Sequence, residues 1–294
     1  MNGSRGLPSA AAAFPERRAA ERAFDRASAE FSRHCVVHDE ARRRLLERLD
    51  YVRLEPRVVV DVGTATGLAA RALAARYPEA RVIALDPSRA MLRVARREQG
   101  AAGRVTFAAA RAERLPLADA TVDLLVANLC LPWCDPLATF VEAARVLRDG
   151  GRMLFATVGP DTLQEVRRAW RQADDAIHVH AFFDMHDLGD MAVAAGLADP
   201  VVDVDRLELT YGDVRRLVHD LRAWGAVNTA AGRRRTLTGT GRFARFERAL
   251  AGGHGTRFSV TVELVLGQAW GAPRRPGHGE FAVPADRIGR RRSR

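Results

Sequence analysis

Short runs of almost unbroken apolar residues punctuate the chain at 58–62, 81–86, 104–108, 122–127 and 152–157, and between them apolar positions recur at helical spacing. Runs without polar alternation suit strands buried on both faces of a parallel sheet, and the intervening helices supply right-handed crossovers. After Val158 the simple alternation breaks. A helical pattern surrounds Leu163, Val166 and Trp170, and Asp184 opens a short helix that ends at Gly196. Residues 201–211 read as a sixth strand, and 258–266 as a seventh, with Val260, Val262, Leu264 and Leu266 turned to one face. Between these two strands lie helices around Val214, Leu217, Leu221 and Trp224, then an arginine-rich turn. Upstream, residues 21–50 form one or two helices, with Phe24, Ala27, Phe31 and Cys35 on one face and Leu45, Leu46 and Leu49 on another, expected to cover the ligand side of the sheet. The pattern predicts an α/β fold: a seven-stranded sheet with helices on both faces, and a helical lid inserted at about 159–183 and 212–250.

The chemistry concentrates at Asp61-Val62-Gly63-Thr64-Ala65-Thr66-Gly67, which joins the first apolar run to a helix beginning near Leu68. Glycine is needed where φ is positive or where backbone must touch a ligand, and the following helix points its free amides into the gap. Asp86 ends the second apolar run, and two strand-end acids flanking such a turn suit the ribose of an adenosine cofactor. A structural turn capped by Asp61 and Asp86 is the plain alternative.

Composition narrows the class. At 294 residues and 47% hydrophobic content the chain can bury one substantial core, and no stretch of 18 apolar residues suggests a membrane span. The first twenty residues lack a secretory pattern and read as a disordered leader before a domain at 21–270; 271–294, rich in Gly, Pro and Arg, reads as a disordered basic tail. The formal charge of +10 invites a nucleic-acid reading, but half of it comes from seven tail arginines against Glu280 and Asp286. All 46 basic residues are arginine, a bias of the whole chain that discounts any local cluster. A modestly basic body remains compatible with an acidic protein partner. Three cysteines without framework spacing point to a reducing, cytoplasmic compartment, and Cys130 and Cys134 read as packing residues rather than half of a metal site.

The order of the glycine turn, Leu115-Pro116-Leu117-Ala118-Asp119, the run Val122–Asn128 and the helix closing on Asp149-Gly150-Gly151 resembles the Rossmann-like S-adenosylmethionine-dependent methyltransferases. The G-x-G-x-x-G of nicotinamide enzymes is missing. A narrower likeness rests on Phe24-Asp25-Arg26-Ala27, on Leu129 to Cys134 and on Gly159-Pro160-Asp161-Thr162-Leu163. Further along, the block Phe183-Asp184-Met185-His186-Asp187-Leu188-Gly189-Asp190, Leu209-Thr210-Tyr211 and Gly267-Gln268-Ala269-Trp270 complete it. On these the chain is similar to the malonyl-acyl-carrier-protein O-methyltransferases of biotin synthesis. That resemblance implies methyl transfer to the free carboxylate of a malonyl thioester on an acyl-carrier protein, with no nucleic acid or membrane partner and no metal. It carries Gly63 and Gly67 to the methionine and ribose turn, Asp86 to the ribose hydroxyls, Asp61 to the methionine amino group, Ala112 to the adenine edge, and Asn128 and Leu129 to the transferring methyl. An arginine or histidine from the lid is expected to meet the carboxylate, with Arg167, His178, His180 and Arg222 as candidates; exposed surface placement is the default for such residues.

Departures from the pattern stand at Ala65, where a glycine is usual, at Arg111, where an acid commonly precedes Ala112, at Phe31, often tyrosine, and at Pro132, often glutamine. Three other readings stay open on sequence: a related respiratory-complex assembly factor that hydroxylates an arginine, a non-enzymatic binding protein on the same fold, and a nucleic-acid methyltransferase. The last lacks its Asn/Asp-Pro-Pro-aromatic motif, since Asn128 is followed by Leu129-Cys130-Leu131.

Overall fold

Neighbouring residues of the central strands bury on opposite faces, so each strand feeds two cores. Val59, Leu124 and Leu154 pack on one side with Leu45, Ala70 and Leu73, while Val60, Leu125 and Phe155 pack on the other with Phe140, Ala143 and Leu188. The computed structural model describes residues 10–101, 103–252 and 257–273. Seven strands form one sheet: β1 (Val58–Val62), β2 (Arg81–Asp86), β3 (Val105–Ala109), β4 (Val122–Asn128), β5 (Leu147–Val158), β6 (Leu197–Tyr211) and β7 (Phe258–Gly271). Their spatial order is β3-β2-β1-β4-β5-β7-β6. The first five run parallel, and β7 inserts antiparallel between β5 and β6. Order reverses between β1 and β4, so the crevice beyond their carboxyl ends is the switch point where such sheets bind ligands.

Ten helices surround the sheet among the described residues: α1 (Arg17–Ala27), α2 (Phe31–His34), α3 (Val36–Glu47), α4 (Leu68–Arg76), α5 (Arg89–Gln99), α6 (Pro136–Val146), α7 (Gln164–Arg171), α8 (Met185–Ala194), α9 (Val214–Ala223) and α10 (Thr240–Ala251). Polar caps start several of them. The Asp135 carboxylate accepts from the Ala138 amide ahead of Pro136, and Asp184 accepts from the His186 and Asp187 amides. The block that opens with Asp184 thus builds α8, whose Leu188 and Ala192 lie in the core under the sheet and away from the crevice. Helices α7, α9 and α10 share a separate core of Val166, Leu217, Phe246 and Leu250 with Tyr211 and Val260, and form a cap over one end of the sheet. Glu263 and Glu165 moor that cap to β7. The Asp161 amide donates to Glu263 at 2.7 Å, and the Thr261 amide and hydroxyl donate to Glu165 at 3.0 and 2.8 Å.

The expected leader needs correction. Residues 1–9 lie outside the described set, but a short 3₁₀ turn spans Ala10–Ala13 and α1 begins at Arg17 with Ala19 and Ala20 buried. Small alanines let this segment lie close against its neighbours, and backbone bonds stitch it down. Ala231 and Gly232 donate to Phe14 and Ala12, Glu16 to Thr229, and Ala181 to Ala13, all between 2.7 and 3.0 Å. At the other end β7 runs on to Gly271, and the tail expected at 271–294 lies outside the described residues from 274 onward.

Candidate active site

The glycine turn leaves β1 in a left-handed bend: φ is +70° at Gly63, +48° at Ala65 and +79° at Gly67. A Cβ on Gly63 would come within 2.7 Å of Cys130 Cβ and Sγ, so both angle and packing demand glycine there. Ala65 holds the same handedness with a side chain, and Asp86 keeps it there. Asp86 Oδ2 accepts from the Ala65 amide at 2.9 Å, and Oδ1 from the Ser88 amide at 2.7 Å. Burial pushes the Asp86 carboxyl up to about 6 against the pull of those amides, with Asp25 and Glu21 adding to the rise. Burial likewise raises Asp61 to about 6, although the Thr64 hydroxyl donates to its Oδ2 at 2.5 Å.

Above the turn lies a cleft of about 710 Å³. Gly63, Ala65, Asp86, Ala112, Asn128 and Leu129 line it from the sheet side, and Arg17, Glu21, Phe24 and Phe31 roof it from the first two helices. Asp61 sits one layer deeper, in a side recess with Gly63 and Asn128. Of the sequence-derived cofactor residues, only Gly67 lies off these walls; it opens α4, where an added Cβ would come within 3.0 Å of the Phe107 ring. Arg111 stands at the cleft edge and pairs with Glu21 at 2.9 Å, which ties the roof to the wall. Phe31 is buried and meets His38 edge-on at 4.8 Å.

A second cavity, of about 1360 Å³ and mostly apolar, opens beside the first under α7, α9 and α10. His38, Leu129 and Trp133 border both spaces, so the two chambers meet at this neck. Trp133 bridges them edge-on, 5.1 Å from Phe24 and 5.4 Å from His180 between ring centres. The capping candidates separate here. His178, His180 and Arg222 line the second cavity, whereas Arg167 does not. The Arg167 guanidinium is spent on the carbonyls of Pro160, Thr162 and His180, and so braces the segment before α7. His180 Nε2 accepts from the Thr229 amide at 2.9 Å, and burial lowers its pKa to about 4, so it presents a neutral ring. His178 stacks on Trp170 at 3.7 Å and bonds Asp174 at 2.8 Å. Arg222 lines the cavity from the exposed last turn of α9 and is the cation best placed to meet an anion there.

Two residues escaped the sequence reading. His38 and Arg42 lie one turn apart on α3 and face the glycine turn. The His38 ring is held to about 4 by burial, while its backbone carbonyl accepts from Asn128 Nδ2 at 3.0 Å. Their i, i+4 spacing is a readable signal of a shared face, but arginine saturation of the chain hid it.

A family model described as a methyltransferase domain matches residues 60–155, the segment that builds β1 to β5. The malonyl-[acyl-carrier protein] O-methyltransferase of Gallionella capsiferriformans is 41% identical over 266 residues, 87% of this chain and 91% of that protein. The chain belongs to this family. Its namesake from Laribacter hongkongensis is 44% identical over 263 residues, covering 86% and 89% of the two chains. Among solved structures, a S-adenosylmethionine-dependent methyltransferase of Thermotoga maritima, titled a possible histamine N-methyltransferase, superimposes with a TM-score of 0.52 at 20% identity over 86% of this chain and 99% of its own, a likeness of fold. The protein is thus a methyltransferase of the Rossmann-like class, and neither the arginine-hydroxylase nor the non-enzymatic reading gains support. No helix among the described residues is long and apolar enough to cross a membrane.

Proposed function

We propose that the protein transfers a methyl group from S-adenosylmethionine to the free carboxylate of a malonyl thioester carried on acyl-carrier protein, a step of biotin synthesis, in the cytoplasm. The observation that carries this reading is the pair of chambers joined at His38, Leu129 and Trp133: one walled by the glycine turn with Asp86 and Asn128, the other larger and mostly apolar with Arg222 at its wall. The names of the relatives point to the same acceptor.

The polar groups of the first chamber fit the cofactor. Asp86 would take the ribose hydroxyls, Ala112 the adenine edge, and the buried oxygens Asp61 Oδ1 and Asn128 Oδ1, both without a partner in the described structure, the methionine ammonium. When bound, S-adenosylmethionine supplies an electrophilic methyl on a sulfonium. A malonyl carboxylate is ionised at neutral pH, so the acceptor needs no general base, and the task of the chain is to orient and to exclude water. The neutral rings of His38 and His180 suit that task, because a full positive charge against the attacking oxygen would dull it. Arg222 would hold the carboxylate from the cavity wall by the oxygen that does not attack, and the apolar lining would take the acyl thioester arm.

The test is incubation of the purified protein with S-adenosylmethionine and malonyl-carrier protein, read by intact-mass spectrometry of the carrier. A gain of one methyl is expected on the malonyl form and none on the unloaded or acetyl form. Retained S-adenosylhomocysteine binding without any mass gain would reject the acceptor.

A further inference from the structure

Four buried side-chain polar atoms without a hydrogen-bond partner among the described residues gather around one small recess. They are His38 Nδ1, Arg42 Nε, Asp61 Oδ1 and Asn128 Oδ1, half of the eight such atoms found. The recess lies between α3 and the glycine turn and shares Phe31, Gly63, Ala65, His38 and Asn128 with the nucleoside cleft. Unsatisfied buried polar atoms are costly, so such a concentration at one place marks a site whose partner comes from outside the chain.

The inventory has a definite polarity. Asp61 and Asn128 end neighbouring parallel strands and offer acceptors, while Arg42 reaches in from the opposite wall as a cationic donor. An α-amino acid end group is the mirror of this set: its ammonium only donates and its carboxylate only accepts. Arg42 is already half engaged, since its Nη2 bonds Asp39 Oδ1 at 3.3 Å. That bond orients the guanidinium and leaves Nε buried without a partner on a residue that lines the recess. The remaining cations near the cleft stand elsewhere. Arg17 and Arg111 line the nucleoside portion without lining the recess, and Arg71 is committed to the Thr66 carbonyl and Glu98.

We infer that Arg42 is the carboxylate anchor of the cofactor, and that the recess between α3 and the glycine turn receives the zwitterionic end of an adenosylated amino acid. The inference rests on the cofactor reading above and adds to it a residue from the first segment of the chain, outside the glycine turn and the strand ends. Arg42 thereby ties cofactor occupancy to the seating of α3, whose His38 borders the acceptor cavity.

Calorimetry with two ligands tests it. Wild-type protein and Arg42→Gln are titrated with S-adenosylmethionine and with decarboxylated S-adenosylmethionine, which keeps the ammonium and sulfonium but lacks the carboxylate. Loss of a charge-assisted bond should weaken binding of the intact ligand roughly 10- to 100-fold, leave the decarboxylated ligand within about twofold, and so erase discrimination between them. Arg42→Lys, which keeps the charge and loses Nε, should fall between the two. Equal weakening of both ligands by Arg42→Gln, with an unchanged thermal melt, would assign Arg42 a structural role and overturn the inference; so would unchanged affinity for both. Failure of the wild type to bind either ligand would overturn the cofactor reading itself, an outcome distinct from loss of discrimination.

Discussion

At the scale of single residues the turn after β1 trades stability for position. Ala65 keeps a left-handed φ of +48° that costs an L-residue about 1–2 kcal/mol, and the Asp86 carboxylate fixes it there. Ala65→Gly should therefore stabilise the protein by roughly 0.5–1 kcal/mol after allowing for the greater freedom of glycine in the unfolded chain, measurable by urea denaturation. The two raised carboxyls give a second expectation. Because burial lifts Asp61 and Asp86 to about 6 from ordinary values near 3.8, the folded protein holds their protons more tightly across that window, and their contribution to stability is present below it and lost as pH rises through it. Ribose hydroxyls and an ammonium favour the ionised forms. Affinity for S-adenosylhomocysteine should accordingly rise with pH up to about 6 and level off above, with proton release on binding below it, read by calorimetry in buffers of different ionisation enthalpy. Asp86→Asn should flatten part of that rise; an unaltered profile would remove Asp86 from the linkage.

At the scale of elements, the cap depends on a few polar moorings to β7. Glu165→Ala removes both bonds to Thr261 and strands a backbone amide, so a loss of about 1–3 kcal/mol in stability is expected, with a raised KM for the acceptor and unchanged S-adenosylhomocysteine affinity. Steady-state kinetics beside calorimetry would show whether the two effects part. Elements were also where the sequence spoke most plainly. The first four strands fall within a residue of their expected bounds: β1, β2 and β4 because continuous apolar runs suit burial on both faces, and the edge strand β3 on Val105 and Phe107, with Thr106 exposed between them. β5, β6 and β7 proved longer: the added start of β5 meets β4 at Leu147, the added ends of β6 and β7 pair with each other at Leu197 and Ala198, and these stretches carry polar residues such as Arg148, Asp199 and Gln268 that no apolar run announces. The antiparallel course of β7 left no trace in periodicity. Within the candidate site, Gly63 and Asp86 were expected from turn chemistry and strand ends, and Asn128 from the family resemblance alone. His38 and Arg42 were not, because their role arises only when α3 folds back across the crevice. The order ahead of residue 21 was missed for a related reason: the buried residues at the start of α1 are alanines, which carry little hydrophobic signal.

At the scale of the molecule, the formal charge of +10 would steer the proposed acceptor electrostatically if its surface is acidic, while the proposed cofactor would be held by short-range bonds inside a cleft. Raising salt from low to high concentration should increase KM for the malonyl carrier protein severalfold and leave the dissociation constant of S-adenosylhomocysteine nearly constant, a comparison made with one enzyme stock across a salt series.

The strip at 11–16 is laced to residues 229–232 and Ala181 beneath the cap, and the helix it leads into closes the nucleoside chamber with Arg17, Ala20 and Phe24. One segment thus runs beside both chambers. If the proposed cofactor exchanges through that roof, the neighbouring chamber would be disturbed with it, and turnover should follow a compulsory order in which cofactor enters first and its by-product departs last. In initial-rate plots S-adenosylhomocysteine would compete with S-adenosylmethionine alone, and a bulky fusion placed ahead of Ala10 would slow both exchanges together.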